Sequence, residues 1–183
     1  MDEGFTFRKF NFRNDLADLF DLMTDARDQA LFHCRFPVNS LPDFEKWMIA
    51  NMTHLYHEFY VIVAKDNYSI VGYVYSYDYK FFDGHCKVCI FLKKQYRDVG
   101  MGALCGMRFM SDLFSSYPLR KIYIDVYDYN EQSLQCNLGI GFVEEGCLKD
   151  YRFLDGKYHD MHLLSITRDA FFEHKKKVTG KEE

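Results

Sequence analysis

No run of apolar residues in the chain approaches the ~20 that a membrane-crossing helix needs, so a membrane span is excluded. Positive charge is not in excess either: 23 lysines and arginines face 27 aspartates and glutamates, a net of −4. Such a balance gives no global field to gather nucleic acid or an anionic bilayer, and the expected partner is a small molecule. The opening residues lack the apolar core of a signal peptide, and the six cysteines (34, 86, 89, 105, 136, 147) are scattered through mostly apolar stretches. Both features lead to the expectation of a cytoplasmic protein with reduced thiols. Cys86-x-x-Cys89 has no second pair at metal spacing, and there is no His-Glu-x-x-His; His54-x-x-His57 and His159-x-x-His162 are read as structural, so no metal is expected. No internal repeat is present.

With 183 residues, 48% hydrophobic and 18% aromatic, the chain suits one packed domain, placed at residues 1–170 and followed by a charged tail at 171–183 that frays from His174 to Glu183. Its organising stretch is Gln95-Tyr96-Arg97-Asp98-Val99-Gly100-Met101-Gly102-Ala103-Leu104. The apolar run Val88–Leu92 before it reads as a buried strand, and Met101–Leu113 after it carries apolar residues at helical spacing. A strand, a glycine turn and a helix start together present unpaired amides on one concave side, which is an anion site whose natural occupant is phosphate. A Walker loop is excluded because Ala103-Leu104 follows Gly102 where Gly-Lys-Ser/Thr chemistry is required; a dinucleotide fingerprint fails because Cys105 stands where glycine or alanine is needed. Glycines that merely let strand and helix pack remain the alternative reading.

Along the chain, Phe5–Phe12 reads as a strand, followed by a helix at Leu16–Met23 with Asn14 or Asp15 as its cap. Ser40-Leu41-Pro42-Asp43 opens a second helix through Trp47, Met48 and Met52. Phe59–Ala64 and Ile70–Tyr79 form a hairpin about Asp66-Asn67, and His85–Leu92 returns after Asp83-Gly84. Beyond the helix at 101–116, Lys121–Tyr127 alternates as a strand, Asn130 caps a short helix ended by Gly139–Gly141, and Leu148–Leu154 and Tyr158–Ile166 close as a hairpin on Asp155-Gly156.

Arg97-x-x-Gly100-x-Gly102 resembles the Q/R-x-x-G-x-G/A signature of the GNAT acetyltransferases. Asn130-x-x-Ser133, running on to Gly141-Phe142, is similar to a segment of the ribosomal-protein alanine and spermidine acetyltransferase branches, with Ser133 where alanine is usual. The resemblance covers residues 5–167. It implies an α/β (α+β) fold of order β-α-α-β-β-β-α-β-α-β-β, with a mixed, mostly antiparallel sheet of about seven strands flanked by helices. It also implies direct transfer of an acetyl group from acetyl-CoA to a primary amine: a small-molecule amine, an amino sugar or a peptide N-terminus. In that family, the turn (here Arg97, Val99, Gly100, Met101, Gly102 and Ala103) holds the coenzyme pyrophosphate. The end of the preceding strand (Phe91, Leu92, Lys93) holds the pantetheine arm, and Asn130 with Ser133 contacts the coenzyme.

Two positions depart from the family. Lys87 stands where many relatives carry a glutamate base, and Asn137 where they carry a tyrosine acid. Strand alternation places His85, Lys87, Cys89 and Phe91 on one face, making His85 the nearest group of suitable pKa and Asp125 on the next strand the other candidate. The expected catalytic set is therefore His85, Asp125 and Asn137. A monomer or homodimer is expected, without nucleic acid or membrane. The competing reading is a GNAT-like module that binds acyl-CoA but has weakened turnover and a regulatory role.

Overall fold

The computed structural model describes residues 4–25, 28, 30–31, 38–54, 56–97 and 100–180. Within them run β1 (Phe5–Lys9), α1 (Phe12–Thr24), α2 (Leu41–His54), β2 (Tyr56–Ala64), β3 (Ile70–Lys80), β4 (His85–Leu92), α3 (Met101–Ser116), β5 (Lys121–Tyr127), α4 (Glu131–Gly139), β6 (Val143–Leu154), β7 (Lys157–Thr167) and α5 (Arg168–Thr179). The seven strands form one sheet in the order β1-β2-β3-β4-β5-β7-β6. The β1–β2, β2–β3, β5–β7 and β6–β7 pairs are antiparallel and β4–β5 is parallel. The fold class and element order match the sequence expectation, with α5 added at the end.

The chain divides into two compact units, one of Met1–Asp78 and Cys89–Gly102, the other of Tyr79–Val88 and Ala103–Glu183. In the first, Leu19 and Met23 of α1 and Phe44 and Met48 of α2 bury against Phe59, Val61, Tyr73 and Phe91 of the sheet. Helix α1 starts earlier than expected. Its cap is Asn11, whose side chain accepts from the amides of Arg13 and Asn14, and not Asn14 or Asp15. Asp15 is instead buried in the first turn, 2% exposed, where it accepts from both ends of the Arg8 guanidinium (2.5 and 2.8 Å) and from the Asn11 amide (2.7 Å). Helix α2 begins as expected, with Ser40 and Asp43 bonded side chain to side chain at 2.7 Å.

In the second unit, β6 and β7 join through Asp155 and Gly156, both at positive φ (49° and 85°), the conformation that a tight two-residue hairpin turn demands. β6 is longer than expected, starting at Val143, because a bulge at Glu145 lets the strand continue through Gly146. The frayed tail is replaced by α5. Thr167 caps the helix, Phe171 is 1% exposed and packs on Phe114 (ring centroids 5.3 Å), and Gly180 at φ +66° ends it. The lysines that made the segment look solvated share a helix with an apolar face that the core uses.

Candidate active site

In the first unit the chain passes from β4 through Lys93 and a single 3-10 turn, Lys94–Tyr96, to Gly100 and the start of α3. Gly100 sits at φ +74°, a conformation that favours glycine, so the strand-to-helix turn depends on it. The first amides of α3, from Met101 through Gly102 and Ala103, have no partner within the helix and carry its positive end. A Cβ at Gly102 would meet only the Leu92 side chain, at an ordinary 3.8 Å. Val99, expected among the phosphate donors, lies outside the described residues.

Arg97 ties this turn together. Its Nε donates to the Leu92 carbonyl (2.7 Å), a terminal nitrogen donates to the Asp28 carboxylate (2.8 Å), and the guanidinium stands 5.0 Å from the centre of the Phe91 ring. Three expected coenzyme residues, Phe91, Leu92 and Arg97, are thus brought together. Another of them, Lys93, is anchored by its amide to the Val71 carbonyl (2.8 Å). Sequence reasoning missed two supports of this region. Asp28 is the counter-charge that holds Arg97, and Gly72 lets β3 pass so close that an added Cβ would lie 2.2 Å from the Phe91 carbonyl oxygen. A glycine inside a β-branched and aromatic run was the available signal for the second.

In the second unit the β4–β5 register pairs His85 with Lys121, Cys86 with Ile122 and Lys87 with Tyr123. His85, Lys87, Tyr123 and Asp125 therefore share a face. The Lys87 ammonium lies 2.7 Å from Asp125 Oδ2, while the Asp125 side chain is 4% exposed and its Oδ1 is buried without a hydrogen-bond partner. The Lys87 charge is thus neutralised by the neighbouring strand. His85 stands edge-on to Tyr123, centroids 5.3 Å apart. On α4, Asn130 caps the helix through the Ser133 amide, as expected. Asn137 donates from Nδ2 to the Ser133 carbonyl (2.7 Å) and hydroxyl (3.2 Å), so its amide is turned onto its own helix.

A family model described as an acetyltransferase (GNAT) domain matches residues 10–163. The chain belongs to the GNAT acetyltransferases. One model spans most of both units of this GNAT protein. The SPbeta prophage-derived uncharacterized N-acetyltransferase YokL of Bacillus subtilis (strain 168) is 24% identical to it over 153 residues, 84% of this chain and 85% of the relative. Among solved structures, spermidine N-acetyltransferase from Vibrio cholerae in complex with CoA and spermine superposes with a TM-score of 0.83 at 20% identity, covering 92% of this chain and 98% of that one. A chimera of the Vibrio cholerae enzyme SpeG with hSSAT gives 0.80 at 20% identity, covering 93% and 99%. These likenesses establish the fold. Family membership makes the GNAT protein an N-acetyltransferase with acetyl-CoA as its acyl donor.

Proposed function

We propose that this GNAT enzyme transfers acetyl directly from acetyl-CoA to the primary amine of a small cationic acceptor, with aliphatic polyamines the first class to test. The observation that carries the reading is Asp125, a buried carboxylate with one oxygen on Lys87 and the other without a hydrogen-bond partner. A protonated amine supplies the donor that Oδ1 lacks. Structural neighbours at this fold are spermidine N-acetyltransferases by name, which also favours a cationic acceptor.

In this reading the pyrophosphate rests on the amides at the start of α3, from Gly100 through Met101 and Gly102, and the pantetheine arm follows Phe91–Lys93. The acceptor ammonium gives one proton to Asp125 Oδ1, or to His85 through water. The neutral nitrogen then attacks the thioester carbonyl carbon, the adduct's nitrogen releases its second proton to solvent, the carbon–sulfur bond breaks, and the coenzyme leaves as a thiolate that solvent protonates. Thiolate is a good leaving group at neutral pH, so the reaction does not require a tyrosine acid at position 137. No acetyl-enzyme is formed, and initial-rate kinetics should be sequential.

The test is thiol release from acetyl-CoA with spermidine, an amino sugar and a peptide bearing a free N-terminus. Turnover with spermidine, reduced tenfold or more (~1.4 kcal/mol) in Asp125→Asn with coenzyme affinity unchanged, is the expected result. Coenzyme binding without thiol release on any amine would instead support the module with weakened turnover, which the Lys87–Asp125 and Asn137–Ser133 contacts also suit.

A further inference from the structure

Residues three apart on a regular strand point to opposite faces, so Glu144 and Cys147 should not meet. The β6 bulge changes that parity. Glu144 pairs with Leu164 and Gly146 with Leu163, leaving Glu145 as an extra residue before Cys147 pairs with His162. Glu145 turns to one face, where it accepts from Lys121 and from Ser165 Oγ. Glu144 and Cys147 are thereby left on the other face with His162. One ligand atom from each of Glu144, Cys147 and His162 lies within 4.8 Å of the other two.

The imidazole supplies a second, independent observation. His162 Nδ1 is buried and makes no hydrogen bond, although it lies 3.3 Å from Glu144 Oε1. A separation of about 3.3 Å is also the edge expected between nitrogen and oxygen ligands of one tetrahedral Zn²⁺, from bond lengths of about 2.0–2.1 Å. A sulfur–nitrogen edge of about 3.6 Å follows from the same bond lengths with about 2.3 Å for Zn–S. The cluster therefore needs to contract by little more than about 1 Å, and the exposed Glu144 side chain is free to supply the movement. Lys149 and Asp160 are the charged neighbours. Lys149 Nζ sits 2.7 Å from Asp160 Oδ2 and also interacts with the Cys147 sulfur, so the lysine has a carboxylate to keep when the thiolate is taken.

We propose that Glu144, Cys147 and His162 bind one Zn²⁺, with water as the fourth ligand, and that the ion locks the bulge of β6 onto β7. The donor set decides the metal class: thiolate and imidazole suit a borderline-soft ion, while Mg²⁺ and Ca²⁺ prefer oxygen throughout. Thiolate and carboxylate neutralise the dication. Binding converts the Cys147 thiol to a thiolate and releases its proton to solvent. This ion takes no part in acetyl transfer. It adds a clasp to two edge strands already joined by their ladder and by side-chain contacts such as Lys149–Asp160 and Ser165–Glu145.

The full chain, stripped with a chelator, is titrated with Zn²⁺ and separately with Co²⁺. Expected results are one saturable equivalent per chain, a thiolate-to-cobalt charge-transfer band, and a raised melting temperature. Cys147→Ser should abolish the band, and Glu144→Gln should weaken affinity tenfold or more. Both variants are assayed for an unchanged circular-dichroism spectrum. Absence of a saturable equivalent, or affinity retained in Cys147→Ser, overturns the assignment.

Discussion

Replacing Gly72 by alanine is the sharpest test of how β3 supports the coenzyme turn. The added Cβ would lie 2.2 Å from the Phe91 carbonyl oxygen, 2.8 Å from Leu92 Cδ2 and 3.1 Å from Leu92 Cα. Real Cβ contacts essentially never fall below 3.0 Å, so a backbone oxygen must retreat by roughly 0.8 Å, the difference from 2.2 Å. Backbone yields less readily than a side-chain tip, and this stretch is fixed on both sides. Val71 next to Gly72 is the extra residue of a β2–β3 register shift, and its carbonyl holds the Lys93 amide. Overpacking of this kind costs about 1–3 kcal/mol, and a backbone clash belongs at the upper end. For a chain of this size, about 3 kcal/mol lowers the melting temperature by about 6–12 °C. The displaced Phe91 and Leu92 should also weaken acetyl-CoA tenfold or more by calorimetry. Gly139→Ala is the control: it has nothing within 4 Å of an added Cβ, and alanine should stabilise the end of α4 slightly. If Gly72→Ala melts with the wild type and binds coenzyme equally, the close approach does not exist and the reasoning fails.

Gly102→Val should keep the fold, since a Cβ there meets only a 3.8 Å contact and valine is the better helix former, while coenzyme affinity falls tenfold or more. Unchanged affinity by calorimetry would remove the turn from the binding site. Asn137→Ala should alter turnover by less than threefold because the amide is bonded within α4, and Asn137→Tyr should gain less than tenfold; a larger gain would show that an acid was missing. Burial pushes the Asp15 carboxyl up, but hydrogen bonds from Arg8 and the Asn11 amide, with the Arg8 charge, bring it below the usual carboxylate range. Its folded pKa lies under its unfolded value, so this contribution is present at neutral pH and is lost as pH falls through the folded value. Asp15→Asn should flatten the acid limb of stability against pH, and an acid limb identical to wild type would refute the pairing.

What was legible in the sequence is what local chemistry determines. Gly100 announces a turn between an apolar strand and an amphipathic helix, and Asp155-Gly156 needs no partner to fix its hairpin. The cap of α1 was misplaced because Asn11, Asn14 and Asp15 are all competent caps within five positions. Arg8, which draws Asp15 inward, belongs to another element. The partner of Lys87 was not legible because its counter-charge lies 38 positions away on β5. The Glu144, Cys147 and His162 cluster was invisible to period-2 reasoning, since one inserted residue reverses which side chains share a face. Helix α5 was hidden by its lysines, although Phe171 and Phe172 were there to mark an apolar side.

Arg97 commits two of its five N–H donors to the Leu92 carbonyl and the Asp28 carboxylate and pairs its charge with the latter, so at this turn the obvious cation serves as mortar. On the proposed reading, a diphosphate held there by amide dipoles would displace few ions from the protein. Its affinity should then depend only weakly on ionic strength, unlike that of sites lined by mobile lysines. Discrimination would rest on the spacing of fixed donors, and a crowded, salty solution would leave the coenzyme seated.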